Sequence, residues 1–254
     1  MMTNYDELTE FLLRLGDSAL IQAQRLCEWT GRAPALEEEM GMMNVGLDLV
    51  GQARNWYEYA AERINDGTDA DALAFRRDER AFRNLLLVEQ PNGDFAVTMA
   101  KQFFYDAWQF HLLTLLKQAS DERIAAIATK SLKEVTYHLR RSTQWVERLG
   151  DGTQESHERM EKAVDTVWRF TYELMEEGDT ERALSASGIL PSLATLPELW
   201  RSTVKHTLSN ATLTLPEPAS SFYLNARAGV HSEHLGTLLA EMQFLQRAYP
   251  DASW

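Results

Sequence analysis

Four carboxylates occupy matching positions on the four longest predicted helices of this 254-residue chain. Asp17 and Asp48 lie at equal distances along the chain from the loop that connects the first two predicted helices. Asp106 and Glu134 lie at equal distances from the loop that connects the next two. Residues equidistant from the turn of an antiparallel hairpin lie at the same level, so each pair can face a common centre. Carboxylates from four helices at one level are part of the donor set with which a helical bundle binds two metal ions.

The histidines that such a site also needs are missing from the expected positions. A di-metal bundle carries a histidine three residues after a glutamate on two helices, because positions i and i+3 share a helix face. Gly51 stands three residues after Asp48, and Tyr137 stands three residues after Glu134. His138 comes one residue late and is rotated by about 100° from the ligand position. We therefore predict no bound metal, no cofactor and no catalytic residue.

We interpret the four carboxylates as vestigial ligand positions that keep a scaffolding role in a buried polar network. Asp106 falls in the middle of the apolar face of its helix, where an unpaired carboxylate is costly. The cations close by in sequence that could neutralise these carboxylates are Arg25, Arg54, Lys130, Lys133 and Arg141.

The hydrophobic pattern that must position these residues has the helical spacing of three and four almost throughout. The predicted helices cover about 6–30, 34–65, 94–118, 121–149, 156–177 and 232–249. Two hairpins, 6–65 and 94–149, are joined by a crossover of some 25 residues, which is the arrangement of a ferritin-like bundle. We predict an all-α, ferritin-like four-helix bundle in a single domain, 1–254, with accessory helices over 153–254.

Composition excludes several function classes. The chain has 25 Lys and Arg against 38 Asp and Glu, a net charge of −13, which argues against nucleic acid or an anionic membrane as a partner. The single cysteine, Cys27, excludes a disulfide framework and a cysteine-based metal site. The N-terminal stretch has no basic region typical of a signal peptide, and no apolar run is long enough to span a bilayer. We predict a cytoplasmic protein.

Two further patterns leave alternatives open. His231 and His234 have a spacing that can bind zinc, but no third ligand is evident, so helix capping or interface contacts are favoured. Phe104 and Trp108 lie away from the helix face that carries Asp106, which indicates a second packed surface. That surface is covered either by a partner or by the C-terminal third of the same chain.

Several strings in the chain carry a family resemblance. They are RLGD (14–17), GLDLVGQARN (46–55), RDER (77–80), NLLLVEQPNG (84–93), KE (133–134), YHLR (137–140), WVERLG (145–150) and HSEHLG (231–236). With these strings the chain resembles the C subunits of bacterial phenylacetyl-CoA epoxidases. The similarity runs from about residue 13 to the C-terminus and is weakest between 178 and 229.

The resemblance implies membership of a multicomponent monooxygenase that epoxidises the ring of phenylacetyl-CoA in aerobic phenylacetate breakdown. In that family the di-iron centre lies in a catalytic subunit, and the C subunit packs against it as a structural partner without iron ligands. A small bridging subunit and a reductase complete the system. Two other functions remain open from the residues: a self-contained ferritin-like di-metal oxidase that uses the four carboxylates with His138, and an acyl-CoA-binding protein.

Overall fold

The computed structural model describes residues 5–217, 224–250 and 252, and these residues form helices with one isolated antiparallel bridge between Asn225 and Val230 but no strand. The helices are α1 Glu7–Cys27, α2 Leu36–Ile64, α3 Ala70–Phe75, α4 Leu86–Glu89, α5 Phe95–Leu116, α6 Glu122–Gly150, α7 Gln154–Trp168, α8 Tyr172–Met175, α9 Asp179–Ala186, α10 Leu196–Asn210, α11 Glu233–Met242 and α12 Phe244–Ala248. Single 3₁₀ turns cover Glu79–Ala81 and Ala226–Ala228. The chain divides into two compact units, one of residues 1–91 with 223–254 and one of residues 92–222.

The first unit is built on the antiparallel hairpin of α1 and α2. Contacts at its two ends establish the direction: Arg63 pairs with Asp6 at 2.5 Å, and the Thr30 hydroxyl donates to Met43 Sδ at 2.9 Å. Asp6 also caps α1, because its carboxylate accepts a hydrogen bond from the backbone N–H of Thr9. The predicted pair of long helices is therefore confirmed, with ends that differ from the prediction by one to three residues.

The crossover packs on this hairpin together with the C-terminal helices. α4 lies against α1, α3 lies against α2, and α11 contacts the 3₁₀ turn Glu79–Ala81. One helix was predicted over 232–249, but it is broken between α11 and α12 at Gln243. The buried amide of Gln243 donates to the carbonyl oxygens of Ala74 and Arg77, both at 3.1 Å, and these bonds hold the break in place.

Close packing of α1 against α2 makes Gly16 sensitive to substitution. A Cβ at this position would lie 2.6 Å from Tyr57 Cε1, and the Tyr57 ring is held by its hydroxyl bond to Asp17. We expect Gly16→Ala to lower the free energy of unfolding by roughly 1–2 kcal/mol, because overpacking costs about 1–3 kcal/mol and outweighs the helix gain of alanine. Urea unfolding measures this. The control is Gly51→Ala in α2, where no atom lies within 4 Å of the added Cβ; it should be stabilising or neutral, and equal effects would contradict the prediction.

The second unit is built on the antiparallel hairpin of α5 and α6. Phe95 at the start of α5 packs edge-on against Trp145 near the end of α6, with ring centroids 5.0 Å apart. Asp94 caps α5 through the N–H of Val97, and Asp121 caps α6 through the N–H of Ile124. This pair of helices, too, is confirmed to within two residues at each end.

Two helices that follow α6 in the chain, α7 and α10, cover the face of α5 that carries Phe104. Phe104 lies 5.5 Å from the Trp168 ring of α7 and 5.8 Å from the Trp200 ring of α10, and the Trp200 indole N–H donates to the carbonyl oxygen of Phe104 at 3.0 Å. Of the two alternatives for this surface, burial by the same chain is therefore the correct one for Phe104.

Two other predictions have different outcomes. The helix predicted over 156–177 was too long: α7 ends at Trp168, where the Thr171 hydroxyl donates to the Trp168 carbonyl oxygen and competes with helix continuation. The assignment of all 254 residues to a single domain stays a prediction.

Within the described residues, no helix combines the length and the apolar character needed to cross a membrane.

Candidate functional site

Asp17 lies at the centre of a buried charge cluster in the first unit. The Tyr57 hydroxyl donates to its Oδ1 at 2.5 Å. Arg77 donates to both carboxylate oxygens, from Nη2 to Oδ1 and from Nη1 to Oδ2 at 3.1 Å, and the backbone N–H of Arg83 donates to Oδ2 at 2.7 Å. Each oxygen of Asp17 therefore accepts two hydrogen bonds from the chain itself, and a metal ion could bind Asp17 only by displacing these donors.

Arg77 is held in place for this role by the crossover. Its Nε donates to the Leu73 carbonyl oxygen at 2.6 Å and its Nη1 to that of Ala81 at 3.0 Å, while its guanidinium lies 4.4 Å from the Phe82 ring centroid. Burial acts to lower the pKa of Arg77, but the charge of Asp17 raises it above the ordinary value, so the guanidinium stays charged. Sequence proximity did not indicate this cation, because it lies 60 positions from Asp17.

The hairpin register places Tyr57, rather than Asp48, against Asp17. Tyr57 lies nine positions beyond Asp48 along α2, so the level predicted from the turn is wrong for this hairpin. Burial, followed by the charge of Asp17, raises the pKa of Tyr57 well above its ordinary value, and the hydroxyl therefore stays protonated and neutral. A neutral hydroxyl takes the place that a second carboxylate was predicted to occupy.

Asp48 and Glu134 are both half-buried, and each interacts with other groups of the protein. No three histidine, cysteine, aspartate or glutamate side chains among the described residues are grouped so that they could hold a metal ion. Together with the occupied oxygens of Asp17, this arrangement does not fit the donor set of a di-metal bundle.

Asp106 is a fully buried carboxylate of the second unit. Its Oδ2 accepts a hydrogen bond from the Ser142 hydroxyl at 2.8 Å. Burial raises the pKa of Asp106 to about 7, against the hydrogen bond from Ser142 and the charge of Arg141, which both lower it. Arg141 was among the cations suggested by the sequence. Near neutral pH the carboxyl group is therefore divided between its protonated and ionised forms.

The raised pKa of Asp106 makes the stability depend on pH. An unfolded aspartate ionises near pH 3.9, so between about pH 4 and 7 the folded state keeps a proton that the unfolded state has lost, and stability falls as the pH rises. The difference of about three between the two pKa values corresponds to roughly 4 kcal/mol. We expect Asp106→Asn to gain up to that amount relative to wild type between pH 4 and pH 8 in urea unfolding.

The same measurements test the scaffolding role. Asp106→Leu should stay folded, since buried polar groups can often be replaced by apolar ones and the Ser142 hydroxyl keeps an acceptor in the His138 carbonyl oxygen at 3.1 Å. Asp165→Asn, at an exposed position of α7, is the control and should not change the pH profile. An unchanged profile for Asp106→Asn would show that another group carries the proton.

Glu89 forms a second buried cluster in the first unit, which the sequence did not reveal. Its Oε1 accepts from the backbone N–H of Ser232 at 2.7 Å, and its Oε2 accepts from Asn84 Nδ2 at 2.9 Å and contacts His231 Nδ1 at 2.8 Å. The other ring nitrogen of His231, Nε2, lies 3.0 Å from the Phe82 carbonyl oxygen. Because a carbonyl and an ionised carboxylate can only accept, both ring nitrogens of His231 donate, and the imidazole is positively charged.

The environment of His231 agrees with this charge state. Burial acts to lower its pKa, but the hydrogen bond to Glu89 and the charge of Glu89 raise it above the ordinary value. His234 points elsewhere: it lines an open cleft of about 540 Å³ whose charged groups have both signs, including Arg25, Arg32, Glu28 and Glu241. Both ring nitrogens of His231 are engaged within the first unit, in a buried ion pair rather than in the helix capping or interface contact that the sequence favoured.

Comparisons with known proteins bear on these two clusters. A family model described as "Phenylacetic acid catabolic protein" matches residues 1–254. The chain is 49% identical over 249 residues to the C subunit of 1,2-phenylacetyl-CoA epoxidase from Escherichia coli (strain K12), and the match covers 98% of this chain and 100% of that protein. The chain belongs to the phenylacetic acid catabolic protein family. Its all-α, ferritin-like fold is that of the family.

The strings that indicated this family in the sequence also build the two charge clusters. Asp17 is the last residue of RLGD, and Arg77 is the first of RDER. Glu89 lies within NLLLVEQPNG, and His231 opens HSEHLG. Four separate strings therefore combine into two buried ion pairs. One joins the crossover to the first hairpin, and the other joins the C-terminal segment to the crossover.

Proposed function

We propose that the chain is the non-catalytic structural subunit of a phenylacetyl-CoA epoxidase complex and that it stabilises and orients a di-iron catalytic subunit in the cytoplasm. The observation that carries this proposal is the state of Asp17. Both of its oxygens are occupied by Tyr57, Arg77 and the N–H of Arg83. A hydrogen-bonded ion pair therefore occupies the position at which the sequence suggested a metal ligand.

The name of the Escherichia coli relative supports membership of the complex, since 49% identity over nearly the whole length of both chains favours the same assembly. On this proposal Asp17, Asp48, Asp106 and Glu134 keep vestigial ligand positions without binding metal. The bridging subunit and the reductase would be further components of the same complex.

Iron loading of the purified chain tests the non-catalytic role. After anaerobic incubation with ferrous iron and desalting, we expect iron retention far below one ion per chain by elemental analysis. Arg77→Met is measured in parallel, because this change removes two of the four hydrogen bonds that Asp17 accepts. About two iron ions per wild-type chain would overturn the proposal and favour the self-contained oxidase.

Reconstitution tests the stabilising role. The catalytic subunit of a phenylacetyl-CoA epoxidase is purified alone and with this chain, and its thermal unfolding and its turnover of phenylacetyl-CoA with the reductase are compared. We expect a stoichiometric complex with a higher unfolding temperature and a higher turnover rate. A catalytic subunit that is equally stable and active without this chain would contradict the proposal.

A further inference from the structure

One side of α2 exposes an apolar stripe along its first four turns. Leu36 is 69% exposed and Leu47 is 63% exposed, and Met40 and Val50 are also exposed. With the half-buried Met43 between them, these residues are spaced by four, three, four and three positions. They therefore share one helix face, and this alternating spacing is the one with which a helix packs along another helix. We call these five residues the α2 stripe.

The α2 stripe is separate from the surface that α2 buries against α1. Val45 and Leu49 are completely buried on the inner side of the helix, so α2 has an apolar face on both sides. Surface apolar residues are normal when scattered, but a continuous row along four turns marks an interaction site. At the C-terminal end, the stripe stops at an ion pair between Arg54 and Glu58 at 2.7 Å.

The local shape suits an approaching helix. Gly51 adjoins the stripe and is exposed, and a Cβ at this position would have no atom within 4 Å. A small residue beside a row of large ones lets a partner place a bulky side chain close to the backbone of α2.

The charges around the stripe identify the kind of partner. No Lys or Arg lies between Arg32 and Arg54, whereas Glu37, Glu38, Glu39 and Asp48 all lie in this span. A second copy of the chain is disfavoured, because a two-fold contact would bring the same acidic flank from both copies together and each copy has a net charge of −13. An apolar helix flanked by Lys and Arg would complement the stripe in both respects.

We propose that the α2 stripe is the docking surface for a helix of the catalytic subunit of the epoxidase, with an apolar seam flanked by Lys and Arg. This assignment rests on the proposed function and specifies its interface. Leu47 and Met40 lie near the middle of the α2 stripe. A glutamate at either position therefore removes apolar contact with the partner helix and adds a negative charge to the acidic surroundings of the stripe.

The test measures the affinity of the catalytic subunit for the full-length chain and its variants. Leu47→Glu and Met40→Glu introduce a charge at exposed helix positions, so both variants should fold with the wild-type circular dichroism spectrum. We expect each to raise the Kd for the catalytic subunit at least tenfold. The matched control is Leu245→Glu in α12, where the leucine is also exposed and where the Kd should change less than twofold.

The outcomes separate the docking surface from the function it rests on. If wild type binds the catalytic subunit and both stripe variants bind equally well, the docking surface is wrong and the proposed function stands. If wild type does not bind, both are overturned. If the isolated chain is a dimer by analytical ultracentrifugation and Leu47→Glu makes it a monomer, the occupant is a second copy, and the assignment to the catalytic subunit is wrong.

Discussion

Replacing Arg77 by methionine is expected to lower the free energy of unfolding by roughly 3–5 kcal/mol, the largest loss of stability we predict for a single residue. Asp17 is fully buried, and without the guanidinium its carboxylate would keep only the hydrogen bonds from Tyr57 and from the N–H of Arg83. A buried charge that has lost its opposite charge is far more costly than the pair was favourable. Urea unfolding at neutral pH measures the loss.

A neighbouring arginine provides the control for this prediction. Arg76 is exposed and donates to the Pro250 carbonyl oxygen at 3.1 Å, so Arg76→Met should change the stability by no more than about 0.5 kcal/mol. In the double variant Asp17→Leu with Arg77→Met both charges are gone, and most of the lost stability should return. A double variant no more stable than Arg77→Met would show that shape, rather than charge, decides the cost.

The second large effect is expected for Glu89→Gln, which removes the charge that faces His231. The side chains of both residues are fully buried, and we expect a loss of roughly 3 kcal/mol near pH 6, at the lower end of the cost of breaking a buried pair. The amide keeps the size of the carboxylate, but its NH2 group cannot accept the hydrogen bonds that the replaced oxygen accepted, so the loss includes those bonds as well as the charge. Urea unfolding of wild type and variant over a pH series measures it.

The difference in stability between wild type and Glu89→Gln is expected to change with pH. The pKa of His231 is raised by folding, so the stabilisation from its charged form is fully present below the unfolded value of about 6.5 and is lost as the pH rises through the folded value. The gap between wild type and Glu89→Gln should therefore shrink with rising pH. Glu233→Gln, at an exposed position in α11, should show no such gap. A constant gap for Glu89→Gln would mean that His231 is neutral in the folded protein.

Both effects concern the same part of the fold. Arg77 belongs to the crossover, and His231 precedes α11, so each ion pair connects a segment without a long helix of its own to a buried carboxylate. Short helices gain little stability alone, and such segments need specific contacts to stay in place. The clusters of Asp17 and Glu89 therefore explain how a crossover made of short pieces is ordered.

The sequence alone was sufficient for the four long helices, because helical periodicity and caps such as Asp94 and Asp121 are local features that repeat within a few residues. It was also sufficient for the absence of a histidine three residues after Asp48 or Glu134, since that test needs only spacing along one helix. The apolar spacing of α2 is equally visible in the sequence, although only the structure distinguishes the face that packs on α1 from the face that stays exposed.

The tertiary structure alone decided which charges are paired. Arg77 lies 60 positions from Asp17, and His231 lies 142 positions from Glu89, so their contacts depend on the path of the crossover and of the C-terminal segment. The hairpin register was likewise undetermined: the turn suggested Asp48 opposite Asp17, whereas packing of the two helices places Tyr57 there. Local patterns determine which segments are helical, but the level at which two helices meet depends on how their side chains interlock, and no periodicity along a single helix encodes that.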